Sequence, residues 1–133
     1  MKLLLDTCSL LWALQAPEHL SEGAKAALLN ANNPVFVSAV SYWEISLKAG
    51  LGRLCLTGAG PEAFPDFVAD EGWTSLPLDA DTAATYGRLP KDQAHKDPFD
   101  RMLIHLAIRE SFYLISPDRA LGRYRKRGLK VCW

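Results

Sequence analysis

HKDPFDRMLIHLA, at residues 95–107, predicts an apolar helix with an acidic first turn. Asp97 suits the N-cap, Pro98 the first helical position and Asp100 the third. Apolar residues then recur every three or four positions, as on a helix with one buried face: Phe99, Met102, Leu103, Leu106 and Ala107. Acids in a first turn stabilise a helix by roughly 0.3–1 kcal/mol through its dipole, so on their own they indicate no chemistry.

The chain as a whole has the size and composition of one domain, which we expect to span residues 1–133. Hydrophobic residues make up 49% of it, enough for a substantial core, and its formal net charge is zero. No segment approaches the ~20 apolar residues of a membrane span. The three cysteines form no CxxC pair and no signal peptide is evident, which favours a reducing, cytoplasmic setting.

Short apolar segments alternate with helical patterns along the chain. Strands are predicted at residues 3–5, 35–37, 73–76, 112–115 and 129–132. Helices are predicted at residues 9–15, 21–29, 62–69, 79–89, 97–110 and 120–124, with one more that Ser38 or Ser41 begins and that ends at residues 50–52. This order favours an α/β fold of three layers, α/β/α, around a mainly parallel sheet of about five strands.

Acidic residues are predicted to converge at one edge of this sheet. Parallel α/β sheets bind ligands beyond the carboxyl ends of their strands. Asp6 ends the first strand, Asp118 follows the fourth, and the pair Asp97 and Asp100 opens the helix described above. Glu44 lies between apolar positions of the helix that follows the second strand.

Each of these acids also has an ordinary structural explanation. Asp6 and Asp118 could cap the helices that follow them. Glu44 could form an ion pair with Lys48, four residues later, that contributes roughly 0.2–0.5 kcal/mol. Their joint position favours function more than any single acid does.

Carboxylates crowded into one cleft repel each other unless a cation is present. Oxygen ligands without histidine or cysteine favour Mg²⁺, with Mn²⁺ as the second choice, over Zn²⁺. Such a site activates water and stabilises charge on a phosphodiester. Phosphodiester hydrolysis is therefore the predicted chemistry.

Four segments together resemble the PIN domain of VapC-type ribonuclease toxins from type II toxin–antitoxin systems: LLLDT at 3–7, SAVSYWEI at 38–45, DPFDRMLI at 97–104 and LISPD at 114–118. They occur in the expected order and span nearly the whole chain. The resemblance implies a PIN-like fold with four catalytic, metal-binding acids: Asp6, Glu44, Asp100 and Asp118. Asp6 and Asp100 would be the direct ligands, and further candidates would hydrogen-bond around them: Asp97, Thr7, Ser9 and Ser116.

The resemblance also implies a Mg²⁺-dependent endoribonuclease that acts as a homodimer and is inhibited by a cognate antitoxin. Its products would carry 5′-phosphates and 3′-hydroxyls. Three other functions stay open: a structure-specific DNA nuclease, a Mg²⁺-dependent phosphatase and a catalytically inactive binding module. The phosphatase lacks an Asp-x-Asp pair after the first strand, and the inactive module would be favoured by loss of an acid, yet all four are present.

Several other residues carry weaker expectations. We expect His95 to be a solvated loop residue rather than a phosphate contact, and Arg101 to pair with a nearby acid rather than bind RNA. His105 is expected on the helix surface or partly buried. The apolar residues of the helices around Leu10, Leu11, Trp12, Tyr42 and Trp43 are expected chiefly in the core, although some could form a groove that accepts an antitoxin segment. The C-terminal end carries six basic residues and no acid, which would form a solvated face or contact phosphates: Arg119, Arg123, Arg125, Lys126, Arg127 and Lys130.

Overall fold

The computed structural model describes residues 1–133 and is built on one five-stranded sheet. The strands are β1 (Leu3–Leu5), β2 (Val35–Ser38), β3 (Thr74–Leu76), β4 (Tyr113–Ile115) and β5 (Lys130–Cys132). Their order across the sheet is β3-β2-β1-β4-β5, and every neighbouring pair is parallel. The central strand is β1, whose Leu4 is in register with Phe36 of β2 and Leu114 of β4.

Six α-helices connect the strands: α1 (Thr7–Gln15), α2 (Glu22–Leu29), α3 (Ala39–Gly50), α4 (Phe64–Asp70), α5 (Ala80–Ala84) and α6 (Pro98–Glu110). Side-chain caps define several of their starts. Ser38 Oγ accepts a hydrogen bond from the Val40 N–H at 3.1 Å, which identifies Ser38 and not Ser41 as the cap of α3. Asp97 caps α6 as predicted, with Pro98 following it.

The two faces of the sheet carry separate cores. Leu3 and Leu5 of β1 pack into one cluster with residues of α1, α2 and α4, whereas Leu4 packs into a second cluster with residues of α6. Because successive strand residues point to opposite faces, a continuous apolar strand requires cover on both sides. The prediction of three α/β/α layers with a parallel sheet of about five strands is confirmed.

Some predicted helix boundaries are wrong. The segment predicted at 62–69 consists of a 3₁₀ turn, Pro61–Ala63, followed by α4, because Pro65 lies in the first turn of α4, where a proline costs no hydrogen bond. The helix that Asp79 caps ends at Ala84, and a 3₁₀ turn, Tyr86–Arg88, follows. The last helix is a 3₁₀ helix, Arg119–Arg127, longer than the predicted 120–124.

No helix of the structure has both the length and the apolar character needed to cross a membrane.

Candidate metal centre

The predicted acids lie where the carboxyl ends of the central strands meet. Asp6 directly follows β1, and Asp118 lies three residues beyond the end of β4. Glu44 belongs to α3, which begins directly after β2, and Asp100 lies in the first turn of α6. Three parallel strands and one packed helix therefore bring these side chains to one edge of the sheet.

Asp6 is fixed by the start of α1. Its Oδ1 accepts a hydrogen bond from the Ser9 N–H at 2.7 Å, and its own N–H donates to the carbonyl of Ile115 on β4 at 3.1 Å. Burial raises the pKa of the Asp6 carboxyl, a hydrogen bond with the Ser116 side chain lowers it in part, and the charge of Glu44 raises it. The capping role expected for Asp6 is confirmed, and the same carboxylate lies beside a second acid.

Asp100 is the acid on which the other charges act. The pKa of its carboxyl is raised to about 7, first by burial and then by the charges of four neighbouring acids: Asp97, Glu44, Asp6 and Asp118. Repulsion by nearby negative charges disfavours the ionised form of a carboxyl group. Five carboxyl groups therefore interact electrostatically at this edge of the sheet.

Glu44 is buried, with only 4% of its surface exposed. Its Oε2 accepts a hydrogen bond from the Lys48 ammonium, so the predicted ion pair is confirmed, and this bond raises the pKa of Lys48. Its Oε1 has no hydrogen-bond partner. A buried carboxylate oxygen without a partner is costly, and a bound cation or ordered water would satisfy it.

Asp118 caps the C-terminal 3₁₀ helix. Its Oδ1 accepts a hydrogen bond from the Ala120 N–H at 2.8 Å, while its own N–H donates to Ser116 Oγ at 3.2 Å. Its second oxygen, Oδ2, lies 3.4 Å from Nε2 of His95. One oxygen of Asp118 thus holds the local backbone, and the other faces the site.

His95 is not the solvated loop residue that we expected. It is only 8% exposed, and its Nδ1 lies 2.9 Å from the Tyr124 hydroxyl. Its Nε2 lies 3.4 Å from Asp118 Oδ2 and 4.0 Å from Asp100 Oδ2, and the ligand atoms of these three residues lie within 4.8 Å of one another. Tyr124, which holds the ring, lies 29 residues later in the chain. The sequence signal that could have drawn attention to His95 is its place two residues before the capping Asp97.

Arg101 pairs with no acid, so that prediction is wrong. Its guanidinium is buried and donates to four neutral oxygens: the Tyr86 and Tyr124 hydroxyls at 3.3 and 3.0 Å and the Leu89 and Pro90 carbonyls at 3.2 and 2.7 Å. These carbonyls belong to a turn that has no helix or strand to pair with. Arg101 therefore joins the 86–90 segment, α6 and the C-terminal 3₁₀ helix.

The remaining predicted polar neighbours occupy different positions. Asp97 Oδ1 accepts hydrogen bonds from the backbone N–H groups of Phe99 and Asp100 at 2.9 and 3.4 Å. Thr7 donates to Ser41 Oγ at 3.1 Å, whereas Ser9 and Ser116 lie beside Asp6 and lower the pKa of its carboxyl through hydrogen bonds.

His105 lies five residues after Asp100 on α6 and is buried, with its Nε2 3.0 Å from Thr85 Oγ1. Burial lowers the pKa of its imidazole. It therefore belongs to the packing of α6 against α5 and not to the acidic edge.

The donor set fits a divalent cation. Glu44 Oε1 is a buried oxygen without a partner, and burial together with the charges of four neighbouring acids raises the pKa of Asp100 to about 7. A cation among these groups would remove both penalties. The fold and the site together define a parallel α/β domain with a metal-compatible cluster of acids at the carboxyl edge of its sheet.

This chain belongs to the PIN domain family, whose model matches residues 3–127. PIN domains are generally nucleases, and they usually use divalent metals. The resemblance drawn from four sequence segments is thereby confirmed. No curated protein sequence matches the chain.

Solved structures with the same fold include toxin–antitoxin complexes. VapBC2 from Rickettsia felis, bound to a DNA fragment from its promoter, is 17% identical with a TM-score of 0.71, and the match covers 98% of this chain and 97% of that chain. DNA-bound VapBC from Salmonella typhimurium is 17% identical with a TM-score of 0.65, covering 98% and 96%. VapBC-5 from Mycobacterium tuberculosis is 21% identical with a TM-score of 0.61, covering 96% and 94%. At these identities the matches establish the fold.

Proposed function

We propose that this protein is a metal-dependent endoribonuclease, the toxin of a VapBC-type module, which hydrolyses RNA phosphodiester bonds. The observation that carries the proposal is the convergence of four acids on Asp100, whose pKa is raised to about 7 by burial and then by the charges of these acids. A cluster of neighbouring carboxylates destabilises the folded protein unless a positively charged ligand binds among them. Membership of a family of nucleases supplies the reaction class.

Four acids would hold the cation: Asp6, Glu44, Asp100 and Asp118. Their hard oxygen atoms suit Mg²⁺, and Mn²⁺ is also compatible. When bound, such a cation lowers the pKa of water and stabilises negative charge on a phosphodiester.

The chain's own residues prepare the site for this reaction. Lys48 neutralises Oε2 of Glu44, which leaves Oε1 as an acceptor that can orient a water molecule. Caps at α1 and at the C-terminal 3₁₀ helix hold Asp6 and Asp118 in fixed orientations. In the overall reaction a water oxygen bonds to phosphorus, the bond from phosphorus to the 3′-oxygen breaks, and that oxygen takes up a proton, giving 5′-phosphate and 3′-hydroxyl ends.

The proposal is tested by incubating the purified protein with labelled RNAs, tRNAs, and single- and double-stranded DNA in Mg²⁺, Mn²⁺ or EDTA. We expect RNA cleavage that requires metal and is abolished by Asp6→Asn and Asp100→Asn, with circular dichroism spectra unchanged. Asp70→Asn, on the exposed end of α4, is the matched control. Cleavage by Asp100→Asn at the wild-type rate refutes the assignment. Cleavage of DNA alone identifies a DNA nuclease. If the protein neither cleaves any substrate nor binds metal, it is a binding module.

We also propose two protein partners, a cognate antitoxin and a second copy of this chain. Trp43, predicted to be in the core, is 62% exposed, and with Leu47 and Leu51 it forms an apolar strip at four-residue spacing on and just beyond α3. Continuous apolar strips on a surface commonly mark protein interfaces. Light scattering on the purified protein should give the mass of two 14.7 kDa chains, and a mass of one chain would exclude the homodimer.

A cytoplasmic location is the third part of the proposal. The cysteines at positions 8, 55 and 132 are all free, as is usual in a reducing compartment. Cys8 lies near the acids, where desolvation and the charges of Asp6, Asp100 and Glu44 raise the pKa of its thiol to about 11. The thiol stays protonated at neutral pH and is therefore a poor nucleophile.

A further inference from the structure

We infer that His95 supplies a nitrogen ligand to the metal site, together with the carboxylates of Asp100 and Asp118. This inference rests on the proposed function, since it assigns an additional ligand to the same centre. It goes beyond the four acids because a nitrogen donor changes which cations the site prefers.

His95 is buried beside two of the acids, with one ring nitrogen directed at them. Its side chain is more than nine-tenths buried, and Nε2 has no hydrogen-bond partner. That atom faces Asp118 Oδ2 at 3.4 Å and Asp100 Oδ2 at 4.0 Å. With metal–ligand bonds of about 2.1 Å, two ligand atoms of one ion lie roughly 3.0–4.2 Å apart. Both distances fall within that range.

The other ring nitrogen of His95, Nδ1, has the Tyr124 hydroxyl as its partner. Imidazole ligands usually donate their second N–H to an oxygen, which fixes the tautomer and the ring orientation. The Tyr124 hydroxyl oxygen lies 2.9 Å from Nδ1 and is itself held by a hydrogen bond from Arg101 Nη1 at 3.0 Å. With its proton on Nδ1, the ring would direct the lone pair of Nε2 at two carboxylates, and a cation between them would satisfy all three groups.

With His95 the site would combine one nitrogen donor with carboxylate oxygens. Carboxylates alone suit Mg²⁺, whereas an imidazole nitrogen favours first-row transition metals. His95 would therefore shift the preference of the site from Mg²⁺ towards Mn²⁺. The residues that hold His95, Tyr124 and Arg101, become positioning residues for the metal.

The test measures metal binding on the whole, metal-stripped protein. Mn²⁺ and Mg²⁺ are titrated by calorimetry into wild type, His95→Gln and the control His19→Gln, whose histidine is exposed. Mn²⁺-loaded samples are then examined by electron spin echo envelope modulation, which detects ¹⁴N bound to the ion. We expect nitrogen modulation in wild type and His19→Gln but not in His95→Gln. Mn²⁺ affinity should fall at least about tenfold in His95→Gln, with Mg²⁺ affinity changing much less.

Wild-type protein that binds Mn²⁺ without nitrogen modulation overturns the inference, and this result does not depend on how well the variant folds. An unchanged Mn²⁺ affinity in folded His95→Gln overturns it equally and makes His95 a hydrogen-bond partner of Asp118. In both cases metal-dependent RNA cleavage by wild type leaves the proposed function standing. No metal binding to wild type, together with cleavage in EDTA or none at all, removes the metal centre and with it both proposals.

Discussion

Replacing Asp100 by asparagine should stabilise the metal-free protein at alkaline pH. In the folded state the pKa of Asp100 is raised from 3.8 to about 7, so the native protein binds this proton more tightly than the unfolded chain does. Stability contributed by this group is therefore present at low pH and is lost as pH rises from about 4 through 7. Asparagine carries no charge at any pH, so its advantage over aspartate should be absent at pH 4 and complete at pH 8.

The size of the effect follows from the pKa shift and from the exposure of the side chain. A shift of about three units corresponds to about 4 kcal/mol for a fully buried group. The Asp100 side chain is 41% exposed, so solvent screens much of this penalty, and we expect about 1–2 kcal/mol. For a chain of this size that raises Tm by roughly 3–8 °C.

The assay is thermal unfolding followed by circular dichroism in EDTA at pH 4, 6 and 8, with Asp70→Asn as the exposed control. A second series with Mn²⁺ should reverse the order at pH 8, because a cation that binds the native wild type adds stability that the variant lacks. A Tm for Asp100→Asn equal to or below that of wild type in EDTA at pH 8 would refute the argument that burial and neighbouring charges make the ionised Asp100 destabilising.

Three further substitutions test other parts of the site. Lys48→Met should lower the free energy of unfolding in urea by about 1–2 kcal/mol, because the buried Glu44 carboxylate would lose its ion pair with the partly exposed Lys48 ammonium. An unchanged free energy would show that this ion pair is dispensable. Tyr124→Phe should cost about 1–3 kcal/mol and weaken Mn²⁺ binding about tenfold in calorimetry, and unchanged binding would contradict its positioning role. Lys126→Gln with Arg127→Gln should weaken RNA binding and reduce the salt slope by roughly 1–1.5, and an unchanged slope would mean that neither residue contacts phosphate.

The fold could be predicted from the sequence because its signals are local. Runs such as Leu3–Leu5 identify buried parallel strands, and the Asp97-Pro98 pair marks the start of α6. Since parallel strands end at one edge, the meeting of Asp6 and Asp118 followed from the order of elements alone. Periodicity and topology thus sufficed for the acids.

His95 and Arg101 could not be predicted because their environments come from distant parts of the chain. Tyr124, which contacts both side chains, lies on the C-terminal 3₁₀ helix, and nothing in its neighbourhood indicates such a partner. Trp43 has the apolar character of a core residue, but α3 turns it outward, where its ring packs edge-on against Phe99 with ring centroids 4.9 Å apart. Local pattern does not encode which face of a helix the rest of the molecule covers.

The strand order also determines when the site can come into existence during synthesis. β1 is made first but lies at the centre of the sheet, and β4, its neighbour on one side, is made more than a hundred residues later. Asp6 therefore has no Asp100 or Asp118 beside it until the ribosome has made the chain as far as residue 118. A partly made chain holds an incomplete set of acids, so the candidate metal centre forms only after residue 118 has been made and β4 has paired with β1.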